Sequence, residues 1–488
     1  MQHRTRRRWV VLGSAWLLAA SPATAETLRE ALIQTYRSNP QLEAARATLR
    51  TTDETVPIER SAALPDVSGT VDYNEFVYDS GDIGPERQLS AGVTLAVPIY
   101  RGGATRNAIR SAETRVLAGR ADLRATESAI FTRTVAAYLD VIAAEALVRL
   151  SRNNVEVLTI NLEATSDRFE IGDLTRTDVA QSEARLALAR GDLRSAESNL
   201  IAARENYIVL VGAAPTDLAP PPPLPGLPDD VESAVDIALA SNPDLLGAQE
   251  RAEAAGYDIR VAGATRLPRI DITTGGDYGT FLGSLPGSLA AVTPQSSSGV
   301  TLGARATIPL FQGGLPAALE RQAQARASAA LEQVVAVERD VIAQVRASHA
   351  SWRAALEIIA STQAAVDAAA LSLEGVRAEN SVGNRTILDI LDAQRELLSA
   401  EVRLVTARRD AYVAGFSLLA AMGLAEARDL GLGQDEPLYD PVENYRRVRT
   451  IVWDWARDPD PAARATRTIG VPAQNGEVAD QPPAPGAQ

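Results

Sequence analysis

The chain contains no cysteine and no lysine, and only two of its 488 residues are histidine. The absence of cysteine excludes structural disulfides and thiolate metal sites, so stability must come from packing and assembly. Because a phosphate loop with lysine is missing as well, the chain offers no catalytic constellation. We therefore expect no enzymatic activity, no cofactor and no metal site. We expect His349 to be a packing residue inside a helix rather than a ligand.

Aromatic residues are also scarce, at 5% of the chain, whereas 46% of the residues are hydrophobic. Alanine and leucine are abundant between charged residues, which is typical of long helices or coiled coils rather than of a compact globular core. The formal net charge is −14. Such an acidic protein is a poor candidate for binding nucleic acid, so no nucleic-acid partner is expected.

Residues 1–25 have the order of a cleavable secretory signal. Arginines cluster within residues 4–8, an apolar run covers residues 9–20, and Ala23-Thr24-Ala25 follows. We predict that this signal peptide is removed and that the chain is exported. The apolar run is about half the length that a helix needs to span a bilayer, and no later stretch of that kind is evident. The sequence therefore predicts no transmembrane helix in the mature chain.

One unit of sequence is present twice. Asn39-Pro40 recurs as Asn242-Pro243, an offset of 242 − 39 = 203, and VPIYRGG at residues 97–103 recurs as IPLFQGG at residues 308–314, an offset of 308 − 97 = 211. An internal repeat of this kind predicts two halves with one fold.

The repeat also sets the predicted boundaries along the chain. Four consecutive prolines in the segment between the copies must be extended, because proline blocks helix and strand alike. In the tail we expect disorder beyond about Asp458. The predicted units are a signal at 1–25, a first strand-and-helix repeat at 26–212, a proline-rich linker at 213–230, a second repeat at 231–423, and an acidic, proline-rich tail at 424–488.

Each copy is predicted to contain a long helix and a shorter returning helix. No proline occurs between Gly103 and Pro215, and apolar residues recur every seven positions, which indicates supercoiled helices. At about 1.5 Å per residue, a helix over residues 104–169 is about 100 Å long. Gly172 and Gly383 interrupt the pattern at equivalent positions, so we expect a left-handed turn at each.

Upstream of each long helix, two short segments alternate between apolar and other residues with period two, which predicts strands. They cover residues 89–99 and 300–308, with partners around residues 67–78 and 270–281. Strands of about ten residues cross an outer membrane, and the aromatic residues near their ends fit an interfacial girdle. The alternative is a soluble sandwich. Because four strands cannot close a barrel and an open edge cannot face lipid, the membrane interpretation requires an oligomer.

These features resemble those of the TolC family of Gram-negative outer-membrane efflux and secretion channels. The resemblance covers nearly the whole mature chain and is most specific in SVGNRTILDILDA at residues 381–393. It implies an α+β membrane protein, a homotrimer in which a transmembrane β-barrel shared by the three chains sits in outer-membrane lipid above a long α-helical coiled-coil barrel in the periplasm. The implied function is that of a passive exit duct in a tripartite efflux or type I secretion system.

The resemblance implies partners and a gate as well. The partners are a periplasmic adaptor protein and an inner-membrane transporter of the ABC, RND or MFS type. Among the possible systems, type I secretion is favoured. Arg385 matches the arginine that ties the inner helix pair to the outer pair, and Thr177 and Asp178 match its partners. Asn380 departs from the family's tyrosine. We therefore expect Arg385 and Asp178 to be the main residues that keep the periplasmic tip of the helical barrel closed.

Asp389 and Asp392 lie three residues apart near the start of a helix. In a threefold assembly their six carboxylates would form a cation-selective constriction. The alternative is that acids in a first turn only complement the helix dipole. The resemblance favours the ring.

Two other classes of protein remain open at this point. A periplasmic coiled-coil adaptor would be single-copy, and the duplication counts against it. A secreted filament or another coiled-coil structural protein is the second alternative. The sequence leaves the cargo and the inner-membrane pump undetermined.

Overall fold

A computed structural model describes residues 25–77, 84–224, 226–434 and 437–478. The predicted signal lies almost wholly outside these residues, and so do Tyr78 and the end of the tail. The strands are β1 Asp66–Glu75, β2 Arg87–Tyr100, β3 Arg269–Thr280 and β4 Ser296–Thr307. The helices are α1 Leu28–Ser38, α2 Pro40–Asp53, α3 Thr55–Ser61, α4 Ala104–Glu170, α5 Arg176–Val211, α6 Val231–Ser241, α7 Pro243–Gly263, α8 Gly287–Ala290, α9 Leu315–Ser381, α10 Ile387–Ala421 and α11 Glu443–Val448.

The repeated Asn-Pro motif has the same structural role in both halves. Asn39 caps α2 by accepting hydrogen bonds from two backbone N–H groups, and Pro40 occupies the first helical position, where no donor is needed. The Asn39 amide donates to the Leu210 carbonyl at 3.0 Å. Asn242 caps α7 in the same way and donates to the Ala421 carbonyl at 2.9 Å. Each motif therefore fastens the start of its copy to the end of its own returning helix.

Glycines set the ends of the long helices. α4 and α9 each contain 67 residues and begin after a left-handed glycine, Gly103 or Gly314. The predicted turn glycines Gly172 and Gly383 have φ of 85° and 84°, which a side chain would disfavour. The long helix predicted over residues 104–169 is confirmed to within one residue.

The four strands form one antiparallel sheet in the order β1-β2-β3-β4, so β2 and β3 join the two copies. The register gathers the large apolar side chains of the sheet on one face. Asp66, Ala96 and Thr273 are neighbours on the polar face, whereas the row beside them begins with Val67 opposite Leu95. The apolar face carries Val67, Val71, Tyr73, Val93, Leu95, Ile272, Tyr278, Val300 and Leu302. Within the described chain, β1 and β4 are the open edges of the sheet.

The main hydrophobic core lies where α4, α5, α9 and α10 meet the short helices α1 and α6. Phe131, Tyr138 and Tyr207 are fully buried there. The Tyr138 hydroxyl lies within hydrogen-bond distance of two carbonyl oxygens, that of Glu26 at 2.8 Å and that of Ala219 at 2.6 Å. It thus joins the start of the chain to the linker between the copies. These rings are among the largest side chains that the described chain buries completely.

The two long helices differ in how far the chain covers them. α4 has twenty buried residues, whereas α9, of equal length, has seven. α9 also contains a stretch that is long and apolar enough to cross a membrane by length and composition, of which only 11% is buried. The expectation that no such stretch follows the signal was therefore wrong, because alanine-rich heptads lower the charge density without forming an uninterrupted apolar run.

The tail departs from expectation as well. Where disorder was expected beyond Asp458, the structure describes residues up to 478 as an extended segment that returns along the helices. Arg204 donates to the carbonyl of Asn475 at 2.9 Å, and Val478 is buried in the main core. Side-chain contacts from α5 thus hold a segment whose own composition indicated no structure.

Candidate gate at the helical tip

The end of the helices farthest from the sheet is formed by two turns, one between α4 and α5 and one between α9 and α10. Each returning helix begins with a capping box. Thr175 and Asp178 exchange hydrogen bonds, and Thr386 and Asp389 do the same, with the aspartate accepting a backbone N–H at 2.8 Å in both. These bonds hold the pKa of both aspartates below the usual range. Asp178 and Asp389 are therefore, first of all, caps.

The two turns carry ion pairs of opposite direction. In the first copy, Arg168 on the long helix pairs with Asp173 in the turn at 2.7 Å. In the second, Glu379 occupies the position equivalent to Arg168 and pairs with Arg385 in the turn, also at 2.7 Å. The hydrogen bond from Arg385 to Glu379 raises the pKa of the guanidinium. The two tips thus share a backbone but not a charge pattern.

The predicted gate residues lie at the two turns, and their contacts within this chain are mostly local. Arg385 also lies 3.8 Å from Asp389, and the Asn380 amide donates to the Arg385 carbonyl at 2.7 Å. Asn380 therefore holds its own turn. Thr177 is exposed on α5. Within this chain Arg385 pairs with Glu379 and Asp389, not with Asp178, so the expected contact between Arg385 and Asp178 stays a prediction about neighbouring helix pairs.

Asp392 has a partner that sequence reasoning missed. Its carboxylate lies 2.8 Å from the guanidinium of Arg185 on α5 and 3.7 Å from that of Arg395. Asp389 caps the start of α10, as the alternative to the carboxylate ring required of an acidic residue in a first helical turn. The ring itself stays a prediction. Arg185 is 207 residues away in sequence, and no local pattern linked the two.

The first residues of α10 are seated between α4 and α5. Leu391 is 2% exposed and packs with Leu158, Leu186 and Ala189. Beside it, the Asn161 amide donates to Gln394 at 3.2 Å. Apolar packing, an amide pair and the ion pair of Asp392 therefore fasten the second hairpin to the first close to the tip. We call this contact between the start of α10 and the first hairpin the seat. It would have to break if the tip of the second hairpin moved away from the first.

The described residues contain no group of three or more histidine, cysteine, aspartate or glutamate side chains that could hold a metal ion. His349 lies buried in α9 with its ring against Trp352, as a packing residue would. The ion pairs and caps of the tip can hold helices together and set the charge along a passage between them.

Comparison with known proteins gives the family. The model described as "Outer membrane efflux protein" matches residues 32–213 and 234–424. The chain is 32% identical over 450 residues to the outer membrane efflux protein BepC of Brucella suis, covering 92% of this chain and 96% of that one. It is 27% identical to the outer membrane protein TolC of Escherichia coli, covering 89% of each chain.

The fold has solved counterparts. The Campylobacter jejuni CmeC outer membrane channel superposes with a TM-score of 0.73 at 16% identity, over 87% of this chain and 89% of that one. The predicted fold class and the outer-membrane location in a Gram-negative bacterium are confirmed, and the adaptor and filament alternatives are excluded. The members of this family are channels rather than enzymes. The chain therefore belongs to the outer membrane efflux protein family and is an outer-membrane exit duct of efflux or type I secretion systems.

Proposed function

We propose that three copies of this chain form one passive duct, closed in the membrane by a β-barrel to which each copy contributes four strands. This proposal rests on the sheet, which has one apolar face and two open edges, β1 and β4. Unpaired backbone groups at an edge cannot face lipid, and four strands are too few to close on themselves. Edge-to-edge joining of three sheets satisfies both edges and keeps the apolar face toward lipid.

The uncovered surface of α9 supports the same assembly. Large apolar side chains stand exposed along it, among them Leu331, Ile358 and Leu371. Exposed apolar residues also lie on α4, at Leu117 and Ile160. A closed ring of identical chains joins two different surfaces of each copy, so the surface of α9 would pack on another surface of the neighbouring chain. This packing accounts for an apolar helix that its own chain leaves bare.

At the tip, the proposed duct is gated between neighbouring helix pairs. Arg385 and Thr177 are exposed, so they remain accessible to a neighbouring pair, as Asp178 does at its cap. Asp389 and Asp392 would bring carboxylates toward the threefold axis. An adaptor would dock on the hairpin tips, and an inner-membrane ABC, RND or MFS transporter would supply the energy, since the duct has none of its own. The cargo, small molecules or proteins, would be chosen by that transporter.

Cross-linking tests the assembly directly, because the chain has no cysteine of its own. Asp72→Cys on β1 and Thr301→Cys on β4 place thiols on the polar face of the two edge strands. A flexible bis-maleimide added to outer membranes should produce covalent dimers and trimers. The matched control is Ala96→Cys with Thr273→Cys, which lie opposite each other on the inner strands and should link only within one chain.

Two results would reject the proposal. One is recovery of the protein as monomers, or in the soluble periplasm, instead of as heat-modifiable trimers in the outer membrane. The other is an equal yield of inter-chain products from the edge pair and from the inner control pair.

A further inference from the structure

The tail climbs the outside of the first repeat toward the sheet. The backbone N–H of Tyr439 donates to the Tyr36 hydroxyl at 3.0 Å on α1, and the Asn444 amide donates to Asp53 at 2.8 Å, at the end of α2. The guanidinium of Arg60, on α3, then donates to the carbonyl of Arg449 at 2.6 Å. The partners follow one another in chain order toward Asp66, where β1 begins.

The chain then turns and goes back. Arg447 and Asp458 form two hydrogen bonds, at 2.7 and 2.8 Å, that close the base of a loop over residues 448–457. Beyond it, Thr466 lies beside Gly212 at the end of α5, and Asn475 lies beside Arg204 further along that helix. The loop is therefore the apex of the tail, the part nearest the sheet. We call it the apex loop.

The middle of the apex loop carries exposed apolar side chains. Ile451, Val452, Trp453 and Trp455 are 40%, 63%, 69% and 74% exposed. By contrast, Val448 just before them is 1% exposed. The loop is thus held firmly at its base while it presents two indoles outward. Large exposed aromatic residues mark binding surfaces, and tryptophan prefers the boundary between lipid and water, where its ring is buried and its N–H stays near polar groups.

The apex loop lies at the level where the strands begin. The Tyr445 hydroxyl donates to Glu113 at 3.3 Å, and Glu113 is nine residues into α4, which is about 14 Å at roughly 1.5 Å per residue. From Tyr445 the tail continues to Arg449, whose carbonyl accepts from Arg60, and Arg60 lies six residues before β1 begins. The base of the apex loop is therefore on the order of 10 Å along α3 from the start of β1, comparable with the polar interfacial layer of a bilayer.

Arginines flank the same level. A cavity of about 500 Å³ lies at the junction of β2 and α4 and is lined by Ile99, Tyr100, Arg106, Arg110 and Glu113 among others. Glu113 accepts from the tail, so this cavity adjoins the tail. Arg106 and Arg110 form no ion pair among the described residues. Guanidinium groups beside interfacial aromatic residues suit the phosphodiester of a phospholipid.

We propose that the apex loop is a membrane-interface anchor, in which Trp453 and Trp455 enter the headgroup layer of the periplasmic leaflet while Arg106 and Arg110 bind phospholipid phosphate beside them. The anchor rests on the proposed placement of the sheet in the membrane. The anchor sets how deep the duct sits in the leaflet. It does so through the tail, which lies outside the two repeats and packs on the first copy.

The tryptophan content of the chain allows a clean test. Once the predicted signal is removed, Trp352, Trp453 and Trp455 remain. Trp352 lies 37 residues into α9, about 55 Å along the helix from its start. Trp352→Phe therefore leaves only the two indoles of the apex loop as reporters. Trp453→Phe with Trp455→Phe leaves only the distant Trp352 as the matched control.

Both variants are reconstituted in phosphatidylethanolamine and phosphatidylglycerol vesicles, with and without bromine on the acyl chains near the headgroup. For the Trp352→Phe protein we expect bromine to lower the emission at least about twofold, and less when the bromine lies near the chain end, since interfacial indoles sit shallow. The emission of Trp352 in the control variant should not change. Replacing Arg106 and Arg110 by glutamine should reduce the quenching in vesicles with anionic lipid.

Equal quenching of both variants, or none of either, overturns the anchor. Indoles that are shielded from both bromine and aqueous acrylamide overturn it too, because a neighbouring copy would then cover them. Trimer formation and conductance are measured on the same samples. If trimers conduct while the indoles of the apex loop stay unquenched, only the anchor fails; if no membrane trimer forms, the proposed duct fails first.

Discussion

Replacing Leu391 by alanine should release the tip. This side chain is 2% exposed and fills a site formed by Leu158, Leu186 and Ala189, where the start of α10 sits against the first hairpin. Removing a buried leucine side chain costs about 2–5 kcal/mol. The ion pair of Asp392 and Arg185 beside it is exposed to water and contributes at most about 1 kcal/mol, so packing dominates the seat.

The expected result is a shift in the population of open tips. Even about 2 kcal/mol lost from the seated state changes the ratio of released to seated hairpins by a factor of about 30 in each chain. Single-channel recording in planar bilayers should show longer and more frequent openings at larger conductance. Trimer yield in the outer membrane should stay normal, because the main core lies far from the tip.

Leu188→Ala is the matched control for this substitution. Leu188 lies two residues from Leu186 on the same helix but is 68% exposed in the chain, so its loss should cost less than about 0.5 kcal/mol. If Leu391→Ala channels opened no more often than Leu188→Ala channels, the seat would not hold the tip, and the reasoning from burial to gating would be refuted.

Three further predictions concern charge. Arg385→Ala should raise conductance if that residue ties neighbouring helix pairs, and unchanged conductance would contradict the tie. Arg185→Ala should move the reversal potential toward stronger cation selectivity and Asp392→Ala toward weaker selectivity; shifts of the same sign would sink the ring. Burial raises the pKa of Glu127, which accepts a hydrogen bond from the Ala427 N–H at 2.5 Å, to about 7. Because its folded pKa lies above the ordinary value of 4.5, its stabilising contribution is complete below that value and is lost as the pH rises through about 7, a change of about 3 kcal/mol. The temperature at which trimers dissociate should therefore fall between about pH 5 and pH 8, and it should fall by less in Glu127→Gln than in the unaltered protein; an equal fall in both would show that Glu127 does not titrate there.

Much of the helical architecture was predictable because it depends on local signals. The absence of proline after Gly103 and the glycine at Gly172 define a helix, a turn and a return with no need for tertiary information. The strands were predictable for the same reason, since apolar and other residues alternate from Val300 to the end of β4, although not over its first four residues. The equivalent helices and turns recur 211 residues later, so each could be predicted from both copies.

The contacts at the tip were not predictable in this way. Arg185 and Asp392 meet only because the start of α10 packs against the first hairpin, and the sequence carries no periodicity that couples them. The path of the tail depends on single side chains such as Arg60, which lies 389 residues away from its partner Arg449 in sequence. Composition alone indicated disorder there, because it contains no information about surfaces supplied by other helices.

The mirrored ion pairs of the two turns bear on recognition by a partner. Around a threefold assembly the hairpin tips would alternate between an arginine at the end of the long helix, Arg168, and a glutamate, Glu379. A docking protein with six equal subunits would meet two kinds of binding site at the hairpin tips. To bind at all six sites it must use backbone and apolar contacts. A protein that binds through charged side chains would occupy only every second site. Charge changes at the two turns after one gene duplication can thus make the two binding sites that a partner meets different.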